Sequence, residues 1–349
     1  MKTNETLRRE SPAESPPATG EPPVPRGRPE RGPAERYGDG AQVTISVGTA
    51  ELPEHLFRRL LGAYLWGARE FIVRERSTTS AGTREVVRSF CRRTRQPEIV
   101  SDEGGVVRLQ DLAFESPVSL DQRLSRMGRI VLEFHREAVS SWQHLPLGED
   151  GFWERRDDEI DREAWYIQRI ASLRLSSDRA GTDLLGAWTV ARSLERIADH
   201  AVVLGTVGPR LVELPQGAGP ATQLRQFHAQ AMDHLEGVLS ARDPDIVNGL
   251  LDTGEALIGS GHSLADRLLP GVGGGTMPPA TAAAVARILE SIGRTIAYGQ
   301  DVAQVVLDRP SPWLPGPALH TTGRLSNRRA SRGATDGRGP EPFLTPSVP

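Results

Sequence analysis

The chain has 349 residues, with 42 basic against 45 acidic side chains, a formal charge of −3 and one cysteine. That length suits about two domains, and the slight acidity disfavours a general nucleic-acid binder, which carries a large positive excess. Cys91 alone cannot form an internal disulfide or build a zinc site, and no apolar run is long enough to span a bilayer or serve as a signal peptide, so a cytoplasmic protein that meets membranes only through a partner is expected.

Residues 1–40 hold proline clusters such as Pro22-Pro23-Val24-Pro25 and almost no large apolar side chains, so a disordered N-terminal segment is expected. From Ala41 the pattern changes. Val43, Ile45 and Val47 alternate with polar residues as in a half-buried strand. Pro53 opens a helix carrying Leu56, Phe57, Leu60, Leu61 and Tyr64, which Gly67 closes. Glu70-Phe71-Ile72-Val73 reads as a second strand, and Thr83 as the cap of a helix reaching about Thr94. Glu98-Ile99-Val100 and Val106-Val107-Arg108-Leu109 flank Asp102-Glu103-Gly104-Gly105, a hairpin signal. Residues 41–118 therefore read as a small α/β domain, in which Cys91 is expected to be a small buried hydrophobe.

The rest is helical. The apolar spacing predicts helices over residues 119–142, 151–173 and from about 183, then 221–241, 244–269 and 279–307. The breaks fall at Pro146 and Gly148, at Gly208-Pro209 and Pro215-Gln216-Gly217, and at the Pro270 to Gly275 run. Two halves of three helices each, 119–212 and 213–308, suggest a duplicated three-helix bundle. The tail 309–349, rich in proline and arginine, is expected to be disordered.

Two pairs of acids stand out. Glu195 and Asp199 are one helical turn apart and lie within ~40° of each other, on the side of Trp188, Ala191, Ala198 and Val202. Asp157 and Asp161 repeat that spacing on the preceding helix. Antiparallel packing would bring the four together, and a carboxylate set suits Mg²⁺, Mn²⁺ or iron. The same spacing also fits a solvated face paired with Arg192 and Arg196. A further feature is the stripe Arg84, Arg88, Arg92 and Arg95, opposite Val86, Val87 and Phe90. It reads as a solvated face, or as a contact for an acidic partner or phosphate. No phosphate-binding loop or paired Glu-x-x-His motif is present, which argues against an enzyme of those classes.

The run Leu194-Glu195-Arg196-Ile197-Ala198-Asp199-His200-Ala201 resembles the signature of the PhoU family, and Asp157-Asp158-Glu159-Ile160-Asp161 resembles the acidic element of its preceding helix. Upstream, Ala63-Tyr64-Leu65-Trp66-Gly67-Ala68 and Val107-Arg108-Leu109-Gln110-Asp111-Leu112 resemble extended members with a small α/β domain before the bundle. The resemblance covers most of residues 41–308. It implies a mainly α fold, a six-helix duplicated bundle behind that domain, and one site of Asp157, Asp161, Glu195 and Asp199 for a divalent or trivalent ion (Fe, Mg, Mn or Zn). It also implies a non-enzymatic regulator of phosphate uptake or signalling. The expected partners are the phosphate transporter's ATPase subunit or a sensor kinase, and a homodimer is expected. The alternative is a DNA-binding regulator using the α/β domain. The second repeat departs from the pattern. In Leu289-Glu290-Ser291-Ile292-Gly293-Arg294, Arg294 replaces the acid, and Asp252 and Glu255 lack the four-residue spacing. A guanidinium repels cations, so a second metal site is expected to be lost, with Arg294 free to pair with Glu290. His200 is expected beside the site rather than in it.

Overall fold

A computed structural model describes residues 41–48, 51–112, 119–143, 151–175, 181–213, 219–269 and 277–308. The two expected disordered ends lie outside this set, as do the breaks at Pro146 and Gly148, at Pro215 to Gly217 and at Pro270 to Gly275. Among the described residues no helix is long and apolar enough to cross a membrane.

The N-terminal unit has strands β1 (Gln42–Ser46), β2 (Glu70–Arg74), β3 (Pro97–Glu103) and β4 (Val106–Asp111), with helices α1 (Pro53–Leu65) and α2 (Ala81–Arg93). The sheet order is β1-β2-β4-β3, with β1 parallel to β2 and the other pairings antiparallel. The crossover through α1 lets β1 and β2 run parallel, since a tight turn joins only antiparallel strands. Gly104 and Gly105 supply that tight turn between β3 and β4, both at positive φ. Ile45, Phe71, Val73, Val107 and Leu109 point at Leu56, Leu60 and Tyr64 of α1 and Val87 and Phe90 of α2. Ser80, rather than Thr83, caps α2, because its Oγ accepts from the Thr83 amide at 3.2 Å. Cys91 is only half-buried at the edge of this core, and burial pushes its thiol up to about 11, so it is unreactive near neutral pH.

The six bundle helices are α3 (Leu120–Ser140), α4 (Phe152–Leu175), α5 (Gly181–Val207), α6 (Pro220–Ser240), α7 (Pro244–Leu268) and α8 (Pro279–Leu307). Short 3-10 turns extend α3 over Ser141–Gln143 and α5 over Gly208–Glu213. Proline opens α6, α7 and α8, where its missing N–H costs no hydrogen bond. One apolar core runs through both halves, from Leu124, Met127 and Phe134 to Ile288, Ile292 and Ile296. Trp142 closes the end of it and donates from Nε1 to the Leu204 carbonyl at 2.9 Å. Its indole occupies the space a side chain at Gly208 would need, so only glycine fits there.

A buried histidine pair ties the two halves together. His135 Nε2 lies 2.7 Å from the Ile197 carbonyl, which can only accept, so Nε2 carries the proton. Its Nδ1 is then an acceptor, for the Nε2–H of His228 at 3.3 Å. Both rings stay neutral, because burial lowers His135 to about 4 and His228 to about 3.

Candidate metal centre

Helix α4 decides what the site looks like. Ile160, Ala164, Ile167, Ile170 and Ala171 face the bundle core, while Asp161, Glu163, Trp165, Gln168 and Arg169 are buried too. The α/β domain covers that second side. Trp165 joins the small domain's core and lies 6.1 Å from the Phe57 ring.

Four polar joints hold the two units together. The guanidinium of Arg169, wholly buried, donates to the Tyr64 carbonyl, to the Ala68 carbonyl at 2.9 Å and to Asp111 Oδ2 at 2.7 Å, and lies 4.5 Å from the Tyr64 ring. A buried guanidinium is tolerable only with such a set of acceptors. Glu163 accepts from Arg95 at 2.6 Å and from Arg123 of α3 at 2.9 Å. Both arginines lie against the Tyr166 ring. Gln96, which takes a positive φ of 83°, donates from Nε2 to Tyr166 Oη at 3.2 Å. Arg93, the last residue of α2, donates to Asp161 Oδ2 at 3.0 Å, and its Nε sits 2.8 Å from Asp158 Oδ1.

The four acids singled out by spacing all feel one another across α4 and α5. Burial raises Asp157 to about 8, and Asp161, Asp199 and Glu195 add to it. Burial also raises Glu195 to about 7, reinforced by Asp199 and Asp161 and opposed by Arg192 and Arg196. Asp161 rises to about 6 through burial, held back by Arg93. Asp199, the most solvent-facing of the set, is raised by burial against the pull of Arg196. Partly desolvated like charges of this kind are costly until a cation neutralises them. Asp157 Oδ1 is buried and has no hydrogen-bond partner.

The residues therefore fit a hard cation by charge, by donor type and by that orphaned oxygen. Their side chains do not yet form a coordination shell. Among the described residues no three His, Cys, Asp or Glu side chains are gathered closely enough to hold a metal ion, and Asp161 is engaged by Arg93 instead. Sequence reasoning missed Arg93, Glu163 and Arg169. The signal available was α4 itself, where Trp165, Tyr166, Ile167 and Ile170 leave no fully polar side.

The basic stripe is broken up by its partners. Arg84 pairs with Asp102 at 2.6 Å and Arg92 with Glu85 at 2.7 Å. Arg95 lies beyond the end of α2 and turns into the bundle toward Glu163. Arg88 remains exposed beside Cys91 and Arg92. His200 stacks on Tyr298 of α8 with ring centroids 5.9 Å apart, and burial followed by the nearby Arg294 lowers its pKa. No ion pair joins Arg294 to Glu290 among the described residues, contrary to expectation. Both side chains are exposed, where such a pair gains little.

A search of the curated proteins returns no match to this chain. Residues 124–206, across α3, α4 and α5, match the PhoU domain. The chain thus carries a PhoU domain over α3, α4 and α5, and the last two of these helices hold the four acids.

Proposed function

We propose that this protein is a non-enzymatic regulator of phosphate uptake or phosphate signalling, working as a metal-binding adaptor on the ATPase subunit of a phosphate transporter or on a sensor kinase. The observation that carries the reading is the mutual coupling of Asp157, Asp161, Glu195 and Asp199 inside the matched domain. A bound divalent or trivalent cation would neutralise these acids and cross-link α4 to α5. Function would then reside in the outer surface of the bundle, as a self-associating adaptor. The DNA-binding alternative is weakened by the pairing of Arg84, Arg92 and Arg95 within the chain.

Elemental analysis of protein purified without chelators tests the cation. The wild type is expected to carry a metal that Glu195→Ala and Asp199→Ala lose, and equal metal content in all three overturns the assignment. Affinity capture from phosphate-replete and phosphate-starved cells tests the partner. Recovery of a transporter or kinase component in one state is expected, and its absence from both counts against the adaptor role.

A further inference from the structure

Arg93 is chemically out of place for a residue of the small domain. It projects from the last turn of α2 into the acidic cluster of the bundle, with its guanidinium 5.1 Å from the Phe57 ring and 5.3 Å from the Trp165 ring. There it holds Asp161, one of the four candidate ligands, and Asp158, which lies between Asp157 and Asp161 in the sequence. The partner acid is nearly covered, since the Asp161 side chain is 9% exposed, whereas that of Arg93 is 34% exposed.

We propose that Arg93 is an internal, displaceable counter-ion of the acidic cluster, so that a divalent cation entering the cluster drives Arg93 off Asp161 and loosens the end of α2 from α4. This rests on the cation-binding reading above. Asp161 cannot serve both charges well. A cation on its free oxygen stands within a few ångströms of the guanidinium on the other, and like charges at that range repel strongly in a partly desolvated site. The release is local. Arg169 and the Arg95–Glu163–Arg123 joint do not involve the four acids, and Arg169 is wholly buried, so the small domain stays attached and only the last turn of α2, short of Arg95, loosens. By linkage the effect runs both ways: whatever detaches Arg93 tightens cation binding, and by the same factor. A partner that grips the outer side of α2 would thereby sense whether the cluster is filled.

The test uses the full chain stripped of metal, with Mn²⁺ as the probe. Binding is followed by calorimetry, and the α2 edge by hydrogen exchange, in particular at the Thr94 amide, which is bonded to the Phe90 carbonyl at 2.9 Å. R93M keeps the side-chain length and removes the charge, and is expected to bind Mn²⁺ at least about 5-fold more tightly than wild type. R93K keeps the charge and is expected to bind like wild type. Saturating Mn²⁺ is expected to speed exchange at Thr94 in the wild type and to leave R93M unchanged. Equal or weaker affinity in R93M overturns the role of Arg93 while leaving the cation site standing, and absence of binding to either protein overturns both readings. Unchanged wild-type exchange at saturation overturns the proposal whether or not R93M folds.

Discussion

The middle helices of the two bundle halves occupy the same place in their repeats and live in different surroundings. Helix α4 buries Ile160, Asp161 and every residue from Glu163 to Ala171, whereas α7 buries only Val247, Gly254, Leu264 and Leu268. The α/β domain lies on α4, and α7 faces solvent over most of its surface. The contrast shows where duplication has diverged. The half under the small domain keeps its acids half-sheltered and coupled, while the bare half exposes Arg294 and Glu290 on α8.

The sharpest way to break this comparison is to remove the pin. Arg169→Ala removes the buried guanidinium that Asp111 and the Ala68 and Tyr64 carbonyls share, and is expected to cost about 3–5 kcal/mol, read from the urea midpoint. A loss under about 1 kcal/mol would show that the small domain rests on α4 without depending on it.

The seam common to both halves gives the next largest effect. An unfolded imidazole takes up a proton near pH ~6.5, whereas buried His135 resists until about 4 and His228 until about 3. The unfolded chain therefore binds more protons in this window, so their contribution is fully present above that unfolded value and is lost as pH falls toward 4. At pH ~5 one such ring costs about 2 kcal/mol. His228→Leu is expected to flatten the acid limb of a thermal-stability profile, and a limb of undiminished slope would place the loss elsewhere. The smallest effect belongs to the bare helix. Ile246, 58% exposed on α7, is expected to tolerate serine within about 0.5 kcal/mol by the same denaturation assay. A cost several times larger would reveal that α7 is covered in solution.

The same contrast explains what could be read from the residues alone. Five of the six bundle helices were legible within a residue or two at both ends, because their apolar spacing and opening prolines act locally. The remaining one, α5, was given a start about two residues late and no stated end. The acids of α4 and α5 were legible as two one-turn pairs because that spacing is also local. What was hidden depends on distant partners: Arg93 and Arg95 meet acids 68 residues away, and a charged residue in an amphipathic pattern otherwise reads as surface. The Arg84 to Arg95 stripe did not show its partners either. Its regular spacing is real, but Asp102, Glu85 and Glu163 claim three of its four members. The cap of α2 was misplaced because Ser80 and Thr83 both offer a hydroxyl, and only the extended backbone at Ser80 singles it out.

Arg169 also sets an order of events during synthesis. Its acceptor at Tyr64 lies 105 residues earlier, and the last strand of the small sheet is finished at Asp111. A nascent chain can thus pair all four strands while α4 is still inside the ribosome, yet the Ala68 carbonyl waits for an arginine not yet translated. The N-terminal unit is completed by the domain that follows it, so a chain released before α4 emerges leaves an unsealed edge for quality control to find.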